Sequence, residues 1–231
     1  MTLPAKAEAL VARHAPVHVV ATLAPYLTDA RRARIDEVIA ARVDGVAMAI
    51  EAPSDPHNAA AVVRTAEALG ALNVHVIKAE ARALRAKAVT QGAYYWVKTQ
   101  DHDELDEFVA QMRAEGRQLW GAAMDGPTPL ARIPIDAPMC LLFGNETRGL
   151  SARARAACDG IFHVPMTGMS ESLNLSVTAA ITLHDVLRRR RAGGPDGDLT
   201  DDAAAELRAR YYAHSVDDRL LAALLGAEAT S

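Results

Sequence analysis

Apolar and polar positions alternate along the middle of the chain in two kinds of run. Val46 to Ile50, Val74 to Ile77, Gln118 to Ala123 and Met139 to Phe143 are short aliphatic stretches bounded by turn residues, and they predict buried strands. Tyr94 to Val97 and Ile161 to Val164 are two further strand candidates. Between them, Asn58 to Leu69, closed by Gly70, and Asp103 to Ala114 carry helical spacing, and Leu173 to about Arg191 reads as one long helix. Strands alternating with helices predict an α/β fold with a mainly parallel sheet covered by helices on both faces.

The two ends lack this alternation. Pro4, Pro16 and Pro25 punctuate the first thirty residues, which predicts an irregular helical arm. From Thr28 and Asp29, good capping residues, a helix runs to about Arg42 with Ile35, Val38 and Ile39 on one face. The run Gly193-Gly194-Pro195-Asp196-Gly197-Asp198 marks a linker or turn, and Leu199 to Leu225 is again helical. The expected organisation is an N-terminal helical arm over residues 1–42, a domain over 43–192 and a C-terminal helical arm over 193–231.

With 231 residues and 50% apolar content, the chain can bury one substantial core. Aromatic residues make up only 4%, which argues against a surface that stacks many bases on exposed rings. A net charge of -4 argues against a protein that coats nucleic acid, so any RNA contact must be local. Candidate basic clusters are Arg31, Arg32, Arg34 and Arg42, then Arg82, Arg85 and Lys87, and finally Arg188 to Arg191. For each cluster alone a solvated helix face is the simpler account. Cys140 and Cys158 lie in apolar surroundings and predict buried thiols, and no metal site is expected from the scattered histidines. No run reaches the roughly 20 apolar residues of a membrane span, and a soluble, cytoplasmic protein is expected.

Three segments stand where a predicted strand gives way to a helix or turn, the place where α/β proteins build ligand sites. In Asp55-Pro56-His57-Asn58, Asn58 is placed to cap the helix that carries Arg64, a lone cation among Ala59, Ala60, Ala61, Val62, Val63 and Ala66. Such a guanidinium suits a phosphate, which it can bind bidentately. In Phe143-Gly144-Asn145-Glu146-Thr147-Arg148-Gly149-Leu150, glycines at a strand end let a ligand approach the backbone, although a tight turn would look the same. In Pro165-Met166-Thr167-Gly168-Met169-Ser170-Glu171-Ser172-Leu173-Asn174, Ser172 or Asn174 could cap the following helix and the methionines could fill gaps. The combination is harder to reduce to a generic turn. Neither GxGxxG after a strand nor GxxxxGK[ST] occurs, which removes the main support for dinucleotide or nucleoside-triphosphate binding.

Taken together and in this order, the segments resemble the three motifs of the TrmH family of the SPOUT superfamily, enzymes that methylate ribose 2'-hydroxyls in RNA. The likeness runs from about Ile35 through Arg191 and includes Gly92-Ala93-Tyr94-Tyr95-Trp96-Val97. It is strongest to the members that modify guanosine 18 of tRNA, although Thr147-Arg148 and Ser170-Glu171 depart from their usual pairs. The resemblance implies a trefoil knot formed by about Leu142 to Leu187, a homodimer, and S-adenosylmethionine as methyl donor. The donor would be held around Leu142, Gly144, Val164, Met166 and Leu173. Arg64, Asn58, Glu146, Ser172 and Asn174 match the catalytic and site positions, and tRNA would meet Arg31, Arg32, Arg34, Arg42, Arg188 and Arg189. The alternatives are ribosomal RNA, another tRNA position, or an RNA-binding relative without turnover.

Overall fold

A computed structural model describes residues 3–78 and 92–226, in two compact units: residues 43–195, and residues 1–42 together with 196–231. The basic cluster at Arg82, Arg85 and Lys87 lies outside the described residues.

The larger unit is built on seven strands: β1 (Val46–Glu51), β2 (Asn73–Ile77), β3 (Lys98–His102), β4 (Gln118–Ala122), β5 (Thr128–Pro129), β6 (Met139–Phe143) and β7 (Gly160–His163). They pair in parallel in the order β3-β2-β1-β6-β4-β7-β5. The chain builds outward from β1 to β3, crosses to β4 and β5, and returns to insert β6 between β1 and β4. Ile50 is thereby in register with Phe143, and Gly121 with Leu142. The C-terminal ends of β1, β6, β4 and β7 stand side by side at this reversal of direction, where an open α/β sheet leaves a crevice.

Alternate side chains divide the core into two layers. Met48, Ile50, Val74, Val76, Leu141 and Phe143 face the helix Pro56–Leu69 and the helix Leu175–Ala192, which pack on each other. Ala47, Ala49, Ile77, Cys140 and Leu142 face Phe108 and Met112 of the helix Leu105–Ala114 and Ala154 of the short helix Ala152–Ala157. In this second layer His75 Nδ1 and His102 Nε2 share a hydrogen bond of 3.0 Å. Burial, reinforced by neighbouring His102, pushes the pKa of His75 down to about 4.

The structure corrects several expected elements. Tyr94 to Val97 is not a strand: Ala93–Tyr95 forms a 3-10 turn entered through Gly92 at φ 85°, and the strand is Lys98–His102. As an edge strand paired only to β2, it needs no apolar alternation, and its polar sequence conceals it. The long helix begins at Leu175 because Asn174 is its N-cap. Pro56–Leu69 is capped by Asp55, whose carboxylate accepts from His57 N at 2.8 Å, which leaves Asn58 inside the first turn. The region from Leu199 to Leu225 is two helices, Asp201–Ala213 and Asp218–Leu225, the second capped by Asp217.

In the smaller unit these two helices join Leu3–Val11, Pro16–Leu23 and Asp29–Ala40, the last capped by Thr28. Val19, Leu23, Ile35, Ile39, Leu207, Tyr211, Leu221 and Leu225 form its interior. A Cβ at Gly197 would fall 2.3 Å from Ala40 O, so only glycine fits where the returning chain crosses the end of Asp29–Ala40. His14 and His18 stand four residues apart, an HxxxH pair contrary to the expectation that the scattered histidines form none. Their rings lie 5.5 Å apart, and among the described residues no group of three or more potential ligands is placed to hold a metal ion.

Arg42 is a correction. It is 1% exposed, its Nε donates to the Tyr211 hydroxyl at 3.0 Å, and its guanidinium lies 5.9 Å from that ring's centroid. A cation consumed inside the helical unit cannot meet an RNA phosphate. Arg31, Arg32 and Arg34 do lie on the surface side, engaged with Ser215, Asp29 and Glu37 respectively.

Candidate active site

Beyond β1 the chain turns sharply. Ala52 takes φ 47°, a left-handed conformation that costs a residue with a Cβ about 1 kcal/mol or more. It is held there by its own N donating to Ile77 O at 2.7 Å and by Asn145 Nδ2 donating to its carbonyl at 2.7 Å. Asn145 Oδ1 in turn accepts from the backbone N of Thr147 and Arg148, and Asn145 and Gly149 exchange backbone hydrogen bonds. The loop after β6 is therefore a closed turn tied to the end of β1. A Cβ on Gly144 would lie 2.1 Å from the Gly149 carbonyl carbon, so the turn closes only over glycine.

Glu51, the last residue of β1, fastens the far end of this loop. Only 6% exposed, its carboxylate accepts from Ser151 N at 2.8 Å and Ser151 Oγ at 2.6 Å, while Ser151 Oγ accepts from Ala154 N to cap the next helix.

Glu146 points to the loop following β1. Oε2 accepts from Ser54 N at 3.0 Å and Ser54 Oγ at 2.6 Å, and Oε1 accepts from Asn58 Nδ2 at 3.0 Å and Asp55 N at 3.4 Å. Burial opposes the charge, but these donors outweigh it and hold the carboxyl at about 2. Asn58 Oδ1 accepts from Asn174 Nδ2 at 3.1 Å, and Asn174 Oδ1 accepts from Ser176 N and Oγ at 2.8 and 2.7 Å. Each amide is thereby oriented by the next group, in a relay running from the head of the long helix through Asn58 to Glu146.

The relay borders a cavity of about 340 Å³ at the C-terminal ends of β4, β6 and β7. Phe143, Leu150, Phe162 and Leu175 give it an apolar floor, and Gly144, Glu146, Val164, Met166, Ser172 and Leu173 line it. Across its rim Arg155 Nη1 and Nη2 donate to the two carboxylate oxygens of Asp125 at 2.9 and 3.0 Å.

The structure thus brings Asn58, Glu146 and Asn174 into one hydrogen-bonded group and puts Ser172, Gly144, Val164, Met166 and Leu173 on the cavity wall. Leu142 is a correction for its side chain, which alternates with Phe143 in β6 and, fully buried, faces the opposite layer of the core, so that only its backbone is left for the expected donor contact. Arg64 is exposed and stands apart. Six residues beyond Asn58 on one helix, it lies about 9 Å further along and some 240° round the axis. Arg189 is the third correction. Its guanidinium donates to the carbonyls of Ile133 and Leu130 and to Asp185, so it secures a loop rather than presenting charge. Arg188 remains exposed, paired with Asp185. Ser54, Glu51 and Ser151 were missed by sequence reasoning, because their importance depends on which loops the sheet register juxtaposes.

The family model described as SpoU rRNA Methylase family matches residues 45–184. The chain is 32% identical over 165 residues to the tRNA (guanosine(18)-2'-O)-methyltransferase of Escherichia coli, covering 71% of this chain and 72% of that one. The enzyme of the same name from Thermus thermophilus is 32% identical over 168 residues, or 72% and 87% of the two chains. Among solved structures, the A. aeolicus TrmH/SpoU tRNA modifying enzyme superposes with a TM-score of 0.73 at 25% identity, covering 82% of this chain and 98% of that one. The SpoU methyltransferase AviRb from Streptomyces viridochromogenes, in complex with the cofactor AdoMet, gives 0.57 at 28% identity over 66% and 63%.

S-adenosylmethionine is the methyl donor of these enzymes, and the cavity suits it chemically. The apolar floor of Phe143, Leu150, Phe162 and Leu175 can take a purine. The chain belongs to the SpoU rRNA methylase family and is an RNA 2'-O-methyltransferase.

Proposed function

We propose that the substrate is tRNA and that the methyl group goes to the 2'-hydroxyl of guanosine 18 in the D-loop. The observation that carries this reading is the Asn174–Asn58–Glu146 relay at the cavity edge, in a chain about 32% identical to enzymes named for that nucleotide over some seven-tenths of its length. The bound donor supplies an electrophilic methyl already activated by its sulfonium charge. What remains for the protein is to place the ribose oxygen and to stabilise the charge that develops on it.

Glu146 is ill suited to taking the ribose proton. Four donors occupy its oxygens and its basicity is correspondingly low. In this proposal it orients Asn58, and through it Asn174, and Ser172 borders the same space. Arg64, exposed and without a hydrogen-bond or ion-pair partner among the described residues, holds an adjacent RNA phosphate and stabilises the forming alkoxide. The proton leaves through phosphate or water, since a neutral guanidine is too costly to serve as base. Arg64→Lys keeps the charge and loses the fork, so a near wild-type rate with a shifted pH profile would count against this role.

The proposal includes a homodimer acting in the cytoplasm. Val177 and Ile181 are exposed apolar residues at four-residue spacing on the long helix, and Met166, Met169 and Leu173 are exposed in the loop before it, a composition that suits a surface covered by a second copy. Among the described residues no helix is long and apolar enough to cross a membrane.

Transfer of labelled methyl to an unmodified tRNA transcript, beside the same transcript with 2'-deoxyguanosine at position 18, tests the reading. Incorporation in the first alone supports it. Equal incorporation in both moves the site elsewhere in tRNA. No incorporation, with the donor bound, favours ribosomal RNA or a relative without turnover.

A further inference from the structure

Most described arginines of the 43–195 unit have an ion-pair or carbonyl partner within that unit. Arg113 pairs with Asp159, Arg117 with Asp44 and Glu115, Arg153 with Asp106, Arg155 with Asp125, and Arg188 and Arg189 with Asp185. Arg190 and Arg191 donate to the carbonyls of Ala137 and Leu69. Arg64, Arg132 and Arg148 have no side-chain partner among the described residues. Of these, Arg148 is built into the loop that carries Glu146.

Its backbone is fixed while its side chain is exposed. Arg148 N donates to Asn145 Oδ1 at 3.1 Å, the flanking Asn145–Gly149 bonds close the turn, and Glu51 pins Ser151. A carboxylate stands only two residues away, yet the donors from Ser54, Asp55 and Asn58 turn Glu146 away from it. Glu146 and Gly149 line the donor cavity whereas Arg148 does not, so its charge is presented outside that cavity. A guanidinium with a fixed base, no internal counterion and a position beside the methyl-transfer site suits a bidentate phosphate contact.

We propose that Arg148 binds a backbone phosphate of the RNA near the nucleotide being methylated. This rests on the RNA-methylating activity, and tRNA as the probe rests on the proposed function. The test compares wild type, Arg148→Ala, Arg148→Lys and Arg153→Ala as full chains. It measures the Kd for an unmodified tRNA transcript between 50 and 200 mM KCl, with donor affinity followed by calorimetry. Arg153→Ala deletes the same charge from an arginine already neutralised by Asp106.

Arg148→Ala is expected to weaken tRNA binding about 3- to 10-fold and to reduce the salt slope by about 0.7–0.9, one phosphate's worth, with donor affinity unchanged. Arg148→Lys should keep the slope with weaker binding, and Arg153→Ala should keep both. An unchanged slope in Arg148→Ala overturns the proposal, as does a loss confined to donor affinity, which would assign the guanidinium to the donor's carboxylate. Should wild type bind no tRNA, the tRNA reading falls instead, and the same slope measured on ribosomal RNA decides Arg148.

Discussion

Replacing Ser151 by alanine breaks the fastening of the cavity loop at a single atom. Ser151 Oγ donates to buried Glu51 at 2.6 Å and accepts from Ala154 N at 3.1 Å. A hydrogen bond to a charged group contributes about 1.5–3 kcal/mol and a helix N-cap about 1 kcal/mol. Because Ser151 itself is exposed, water can replace part of the first, and the sum comes to about 2.5 kcal/mol. With a urea dependence of about 2 kcal/mol per molar, the midpoint should fall by about 1.2 M. Both tryptophans, Trp96 and Trp120, belong to the 43–195 unit, so fluorescence follows that unit alone. Glu51→Gln leaves one oxygen where two bonds are accepted, and the double variant should show a coupling of about 1 kcal/mol or more. Calorimetry should show weaker S-adenosylmethionine binding in either single variant, because the same loop lines the cavity. Additive effects within about 0.5 kcal/mol, with unchanged donor affinity, would refute the reasoning and leave Ser151 as a helix cap only.

Other consequences follow from the same geometry. Because the Glu146 pKa is depressed to about 2, its contribution is complete above about pH 4.5 and is lost as pH falls toward 2. Ser54→Ala should raise that pKa, as read from its carboxyl carbon shift, and wild-type titration near 4.5 would contradict the assigned bonds. Asn174→Asp retains the helix-capping oxygen but loses the Nδ2 donor to Asn58, so the methylation rate should drop at least 10-fold with thermal stability nearly preserved. A proportional loss of both would place Asn174 among structural residues. Gly144→Ala sets a Cβ against the Gly149 and Leu150 backbone and should abolish donor binding by calorimetry; retained affinity would show that the loop opens freely. His75, buried neutral, takes up protons on unfolding, so its contribution falls by up to about 3 kcal/mol as pH drops from 6.5 to 4; a flat urea midpoint across that range would contradict it.

How much of this was legible depended on burial. The central strands β1, β2, β4 and β6 announce themselves because most of their residues are apolar and buried. Lys98–His102, polar and at the sheet edge, is defined by pairing to β2 alone, and Thr128–Pro129 is too short to carry a pattern. Asn58, Glu146 and Asn174 could be named as motif residues, but their interdependence arises from parallel register setting the ends of β1 and β6 together. Arg42 and Arg189 show the limit for charge: sequence reveals a cation, not the hydroxyl or carbonyl that awaits it. Leu142 shows the limit for position, since one step along a strand exchanges the cavity side for the core. Arg148 was legible as a departure from the family's usual pair, and its isolation from counterions only as structure.

Digestion of enzyme-treated tRNA to nucleosides, followed by mass spectrometry, locates the transferred methyl group. The added methyl should be recovered as 2'-O-methylguanosine, and Arg64→Ala should abolish it while the donor still binds. Recovery of the methyl on a base, with the ribose unmodified, would rule out 2'-O-methylation by this enzyme.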